Sequence, residues 1–242
     1  MPTTDLDRTP ERILVVAAHP DDVDFGAAGS VAVWTGAGAR VTYCVVTDGD
    51  AGGFDPAVPR SDIPAIRRAE QTAAAAEVGV EDLIFLGYPD GRLQPTLELR
   101  RDLARVIRRV RPERVVAQSP ERNWDRIFAS HPDHLAAGEA AVCAVYPDAR
   151  NPFAFPELLA EGLEAHTVRE LWLMASPAAD VFVDITSTFE RKLAALRAHA
   201  SQETDRDGLL EKRMREWLSA AAAAAGMEDG RLAEAFRRVV TA

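Results

Sequence analysis

Cysteine is scarce in this chain. Cys44 and Cys143 are the only two among 242 residues, each set in an apolar run and neither at metal or redox spacing. That excludes a disulfide framework and a cysteine-ligated metal, and the thiols read as small core residues of a reducing compartment. Basic residues are also short, 28 against 38 acidic ones, for a formal net charge of -10. Nucleic acid is therefore not an expected partner, because binding phosphate requires a basic face. No apolar stretch is long enough to cross a bilayer, and the opening "MPTTDLDRTPER" lacks the charged and apolar regions of a signal peptide. The expectation is a cytoplasmic protein with no membrane partner. Linkers and low-complexity runs are missing from the first 200 residues. A single domain over residues 1–242 is expected, with a core at about 12–202 and a helical extension at about 206–242.

What the chain does have is alternation. "RILVVAAH" is a continuous apolar run of strand length, suited to a strand buried on both faces of a parallel sheet. A small-residue helix from about Phe25 to Thr35 follows, then a strand "ARVTYCVVT", a helix from Ile63 to Glu77 and a strand "DLIFLG". Next come a helix "LELRRDLARVIRRV", a strand "RVVAQS", a helix from His134 to about Val145, strands "TVRELWLMAS" and "DVFVDIT", and a helix "STFERKLAALRAHASQ". The segment from about Arg206 to Ala242 reads as alanine-rich helices. Strand and helix taking turns predict an α/β fold, a Rossmann-like doubly wound, mostly parallel sheet with helices on both faces.

Ligands bind such sheets at the carboxyl ends of the strands, and the unusual polar residues fall there. His19 to Asp22 follow the first strand, Asp48 to Gly53 the second, Gly87 to Gly91 the third, and Ser119 to His134 the fourth. "HPDH" opens a helix, so His131 and His134 at i and i+3 can share one face. Taken alone it is also a plain polar helix start, with Asp133 favouring the positive end of the dipole. "HPDD" is likewise readable as a capped turn in which Asp21 or Asp22 accepts from helix amides. Together the two motifs supply two imidazoles and a carboxylate with a coordination position left open, as a catalytic zinc site requires. His166, in the acidic stretch "LEAHTV", reads as a surface residue.

"AHPDDVDFGAAG" with "SHPDH" resembles the PIG-L/LmbE-like family of zinc-dependent N-deacetylases, which act on N-acetylglucosamine derivatives. The likeness continues through "VTDGDAGG", "RRAE", "FLGYPDGRL" and "DITSTFERKLAALRAHASQ", from about Arg12 to Gln202. The resemblance implies His19, Asp22 and His134 as ligands of zinc, iron(II) or another divalent ion. It implies Asp21 as general base, with His131 and Asp133 assisting, His131 being kept protonated and oriented by Asp133. Arg67 or Arg68, Asp90, His199 and Gln202 would line the sugar site. An N-acetyl amino sugar or glycoconjugate is the implied partner, and a homo-oligomer is expected because similar short members often form trimers or hexamers. Where many members follow "HPDD" with glutamate, this chain has Val23 and then Asp24, one methylene shorter than the glutamate of a bacterial subgroup.

Two other readings compete. A non-catalytic dinucleotide-binding module would use Gly26, Gly29 and Asp48, but G-x-G-x-x-G is missing after the first strand and Asp21 and Asp22 would repel a pyrophosphate. Two histidines and a carboxylate also match iron(II) oxygenases, in which a second carboxylate such as Asp21 has no evident task.

Overall fold

Seven strands form one sheet in the computed structural model, which describes residues 8–53, 55–202, 205 and 207–242. Residues 1–7 of the opening segment, Phe54, Glu203, Thr204 and Arg206 lie outside the described residues. The strands are β1 (Arg12–Ala17), β2 (Arg40–Thr47), β3 (Asp82–Tyr88), β4 (Arg114–Gln118), β5 (Glu170–Met174), β6 (Val181–Asp184) and β7 (Ala233–Val240). Their order is β3-β2-β1-β4-β5-β7-β6, with β1 to β5 parallel and β7 antiparallel to both of its neighbours. The expected α/β doubly wound sheet is present.

The helices are α1 (Asp22–Gly26), α2 (Ala28–Gly36), α3 (Ile63–Glu77), α4 (Leu97–Val110), α5 (Pro132–Cys143), α6 (Pro156–Ala160), α7 (Phe189–Arg197) and α8 (Leu210–Ala224). They cover both faces. Leu99, Leu103 and Ile107 of α4 pack with Ala137 and Ala140 of α5 on one side. Val31 of α2, Ala74 and Ala75 of α3 and Ala195 of α7 pack on the other. This double cover is why β1 and β4 are continuous apolar runs, with every residue from Ile13 to Ala17 and from Val115 to Ala117 buried. A third cluster joins Ile185, Phe189 and Leu193 to Leu210, Met214 and Leu218 of α8. No helix among the described residues is long and apolar enough to cross a membrane.

Two elements differ from the sequence expectation. The first helix is broken at Ala27 (φ -148°, ψ -2°) into α1 and α2, which lets α1 turn the chain tightly behind the "HPDD" loop. The final segment is not all helix: after α8 the chain returns as β7. Pairing with β5 on one side and β6 on the other satisfies its backbone, and this non-local gain overrides the helical preference of its alanines. His166 is half-buried, its Nε2 2.7 Å from the carbonyl oxygen of Pro112, and is not a free surface residue.

Candidate active site

β1 lies between β2 and β4, so the chain departs from it toward both halves of the sheet, and a crevice opens at its carboxyl end. "HPDD" enters that crevice from β1 and "HPDH" from the loop after β4. This topology joins residues more than 100 positions apart. α5 can seat its histidines so close because Gly138 faces β4, where a Cβ would stand 2.4 Å from the Gln118 carbonyl oxygen. Gln118 Oε1 in turn accepts from the amide of Ala18, holding the end of β1.

Neither aspartate of "HPDD" caps a helix in the expected way. Asp21 occupies the N-cap position of α1 without a side-chain cap bond and has φ of 91°. A non-glycine residue held in that region costs about 1–3 kcal/mol, a strain that collects at functional sites. Its carboxylate accepts from Arg67 Nη2 at 3.0 Å, and Arg67 also donates to the carbonyl of Pro20. Burial pushes the Asp21 carboxyl upward, the charge of Asp22 pushes it further, and Arg67 opposes both. Asp22 instead stands between two imidazoles, with Oδ2 3.2 Å from His19 Nδ1 and Oδ1 2.9 Å from His134 Nε2. Burial works against its charge, but His134 and His19 outweigh burial and hold it well below the usual carboxylate range.

The outer nitrogens of both rings are occupied. His19 Nε2 lies 3.0 Å from Asp90 Oδ1 and 3.2 Å from Asp133 Oδ2, and His134 Nδ1 lies 3.3 Å from the carbonyl oxygen of Ala129. Metal-binding histidines are oriented in this way, with the outer N–H on a carboxylate or carbonyl and the inner nitrogen turned to the ion. Burial disfavours charge on His19, but Asp22 and hydrogen bonds to Asp133, Asp22 and Asp90 raise it to about 12. His134 is raised too, against burial, by Asp22. A buried carboxylate set between two imidazoles favours positive charge at this place, which a divalent ion would supply.

Ligand atoms approach within 4.8 Å of one another in two overlapping groups, His19 with His131 and His134, and His19 with Asp90 and Asp133. The second group is already committed elsewhere. Asp133 accepts from the amides of Gly91 at 2.7 Å and Leu93 at 3.1 Å, and Asp90 from that of Ala51 at 3.4 Å. His131 Nδ1 accepts from the Asp133 amide at 3.2 Å, which leaves its Nε2 turned to the site. The three imidazoles form a triangle with centroids 5.0 to 5.3 Å apart.

Several expected roles change. Asp133 orients His131 through its backbone N–H, while its carboxylate holds His19. Burial lowers the proton affinity of His131 first, and the charges of His19 and His134 lower it further, against the opposing charge of Asp133. Arg67 is buried against Asp21, whereas Arg68 is half-exposed, 3.3 Å from Asp48 and over the ring of Phe85. His199 is fully buried on Asp24 at 2.8 Å, behind the crevice, and does not line it. Gln202 lines a cavity of about 750 Å³ with Asp50, Gly52, Arg60 and Ile63, and Gly52 places this cavity against Arg67.

Three buried polar residues packed around α1 and the "HPDD" loop escaped the sequence reading. Gln71, one turn after Arg67 on α3, bonds the Asp21 amide at 2.8 Å. Lys192 and Glu234 pair at 2.7 Å beneath α1. Arg67 and Gln71 stand at i and i+4 on one face of α3.

A family described as GlcNAc-PI de-N-acetylase, PIG-L, matches residues 14–145, more than half of the chain. The chain belongs to the PIG-L family. Among PIG-L relatives, diacetylchitobiose deacetylase of Thermococcus kodakarensis is 34% identical over 193 residues, covering 79% of this chain and 70% of that protein. A probable N-acetyl-alpha-D-glucosaminyl L-malate deacetylase 2 of Bacillus cereus is 34% identical over 197 residues, covering 78% and 83%. The solved N,N'-diacetylchitobiose deacetylase of Pyrococcus horikoshii, complexed with its inhibitor MPG, superposes with a TM-score of 0.88 at 29% identity, over 96% of this chain and 85% of that one.

Proposed function

We propose that this chain is a metal-dependent hydrolase that removes the N-acetyl group from an N-acetylglucosamine-type amino sugar. The observation that carries the reading is the convergence of His19 Nδ1 and His134 Nε2 on Asp22, both outer nitrogens satisfied, with a second carboxylate, Asp21, beside them. The relatives named as deacetylases of N-acetylglucosamine-type sugars supply the substrate class.

His19, Asp22 and His134 would hold zinc, leaving a position open. When bound, zinc supplies an acidified water and polarises the amide carbonyl. Asp21 takes a proton from the attacking water, whose oxygen bonds to the carbonyl carbon, and returns it to the nitrogen as the C–N bond breaks. Its raised proton affinity suits both halves of that task. Arg67 aims the carboxylate and lowers its proton affinity. His131 acts as a neutral donor: with Nδ1 accepting from Asp133, its proton sits on Nε2, facing the developing oxyanion. One such donor is worth about 3 to 4 kcal/mol.

The test is release of amine and acetate from a panel of N-acetylglucosaminides by the zinc-loaded protein. Equimolar amine and acetate from at least one is the expected result. No acetate from any of them, or turnover that stops without oxygen, would sink the reading in favour of other chemistry at the same ligands.

A further inference from the structure

We infer that Gln71 is the positioning residue for Asp21, and that Asp24 with His199 fixes the direction of the Gln71 amide. The inference rests on the reading of Asp21 as the base. Asp21 has its backbone in the left-handed region and no side-chain cap bond to α1, so its own helix does not fix its aim. Its N–H instead donates to Gln71 Oε1 at 2.8 Å. The other end of the same amide, Gln71 Nε2, donates to Asp24 Oδ2 at 2.9 Å. A donor on one side and a carboxylate on the other leave a single amide orientation that satisfies both. His199 Nε2 shares Asp24 Oδ2 at 2.8 Å, and Gln71, Asp24 and His199 are all fully buried. The Lys192 ammonium, bonded to the carbonyls of Asp24 and Phe25 at 2.7 Å each, holds α1 from below. The line from His199 through Asp24 and Gln71 therefore ends on the backbone of Asp21, while the Arg67 guanidinium holds its carboxylate.

This gives the short Asp24 a task. Gln71 reaches the Asp21 amide from α3, and Asp24 holds the other end of the Gln71 amide. Gln71 is fully buried, and its side chain bonds Asp21 and Asp24, neither of them a proposed metal ligand.

Gln71→Met keeps the side-chain length and removes both hydrogen bonds. The full zinc-loaded chain should keep its zinc content and, within about twofold, its KM, while kcat falls by at least about tenfold. Hydrogen exchange at the Asp21 amide should accelerate by a similar factor in the same variant, with or without substrate. In an Asp21→Asn background the same substitution should change kcat by less than about twofold, because the group it aims is gone. Gln71→Glu sets a carboxylate against Asp24 and should be at least as damaging. Adding Asp24→Asn restores a matched pair, in which the new amide donates to residue 71 and to His199 Nε2, and should recover most of the loss.

Four outcomes overturn the proposal: kcat within about twofold in folded, zinc-loaded Gln71→Met; a kcat loss that only tracks lost zinc; an equal loss in the Asp21→Asn background; or a double variant no better than Gln71→Glu alone. Normal turnover in Asp21→Asn itself would instead remove the base reading beneath it, and that arm shows the two failures apart.

Discussion

Asp21 and Asp22 are the same residue type at adjacent positions, and what surrounds each divides their work. Asp22 faces two imidazoles; Asp21 faces one guanidinium and the open crevice. Asp22→Asn should lose most bound zinc by elemental analysis, whereas Asp21→Asn should keep it and lose about 10²- to 10⁴-fold in kcat. An exchange of these phenotypes would reverse the two assignments. A pH profile tests Arg67. Its positive charge lowers the proton affinity of Asp21, so Arg67→Met should raise it and leave the base protonated to higher pH. The acid limb of kcat/KM should then move upward, and a limb that stays or falls would separate Arg67 from the base. Most of this site was legible in the sequence, because "HPDD" and "HPDH" each keep their chemistry within four residues. The partners of those residues were not. Nothing local says that Gly91 and Leu93 would fasten Asp133, or that Arg67 would turn inward while Arg68 stays out.

Between the site and the core lies α1, five residues long and too short to hold its place by its own hydrogen bonds. It is fixed from outside by Lys192 of α7, whose ammonium also meets Glu234 of β7, and Glu234 accepts from the amides of Gly29 and Ser30 at the start of α2. Removing one partner of such a pair leaves a buried charge uncompensated. Glu234→Ala should therefore lower stability by about 3 to 5 kcal/mol, read as a fall in the urea midpoint at unchanged slope. Glu234→Gln, which keeps an acceptor for the two amides, should lose less. A midpoint unchanged in the alanine variant would mean that α1 is held by other contacts. The strands from β1 to β6 and the longer helices could be read in advance, since burial on both faces or on one stripe writes a period into the sequence. β7 could not, because its pairing partners lie 60 residues or so back in the chain.

At the scale of the whole molecule, the two cores on either side of the sheet are complete without an ion, while the crevice gathers Asp21, Asp22, Asp90 and Asp133 in one place. A chelator should abolish turnover yet leave the far-ultraviolet circular dichroism unchanged, and added zinc should restore activity. Free zinc at 100 times its Kd stabilises a folded chain by about 2.7 kcal/mol. For a chain of this size that is a rise of roughly 5 to 10 °C in Tm. Unfolding on chelation would give the metal a structural role instead. The strand order β5-β7-β6 carries a consequence for how the protein is made. β6 touches the sheet only through a strand synthesised later, so it has nothing to pair with as it leaves the ribosome. From Val181 to Phe236, partners in the finished ladder, translation at about 5 to 20 residues per second takes roughly 3 to 11 seconds. Through that interval the apolar β5 is an open edge, and the lysine that braces α1 from below waits on the last strand for its carboxylate partner.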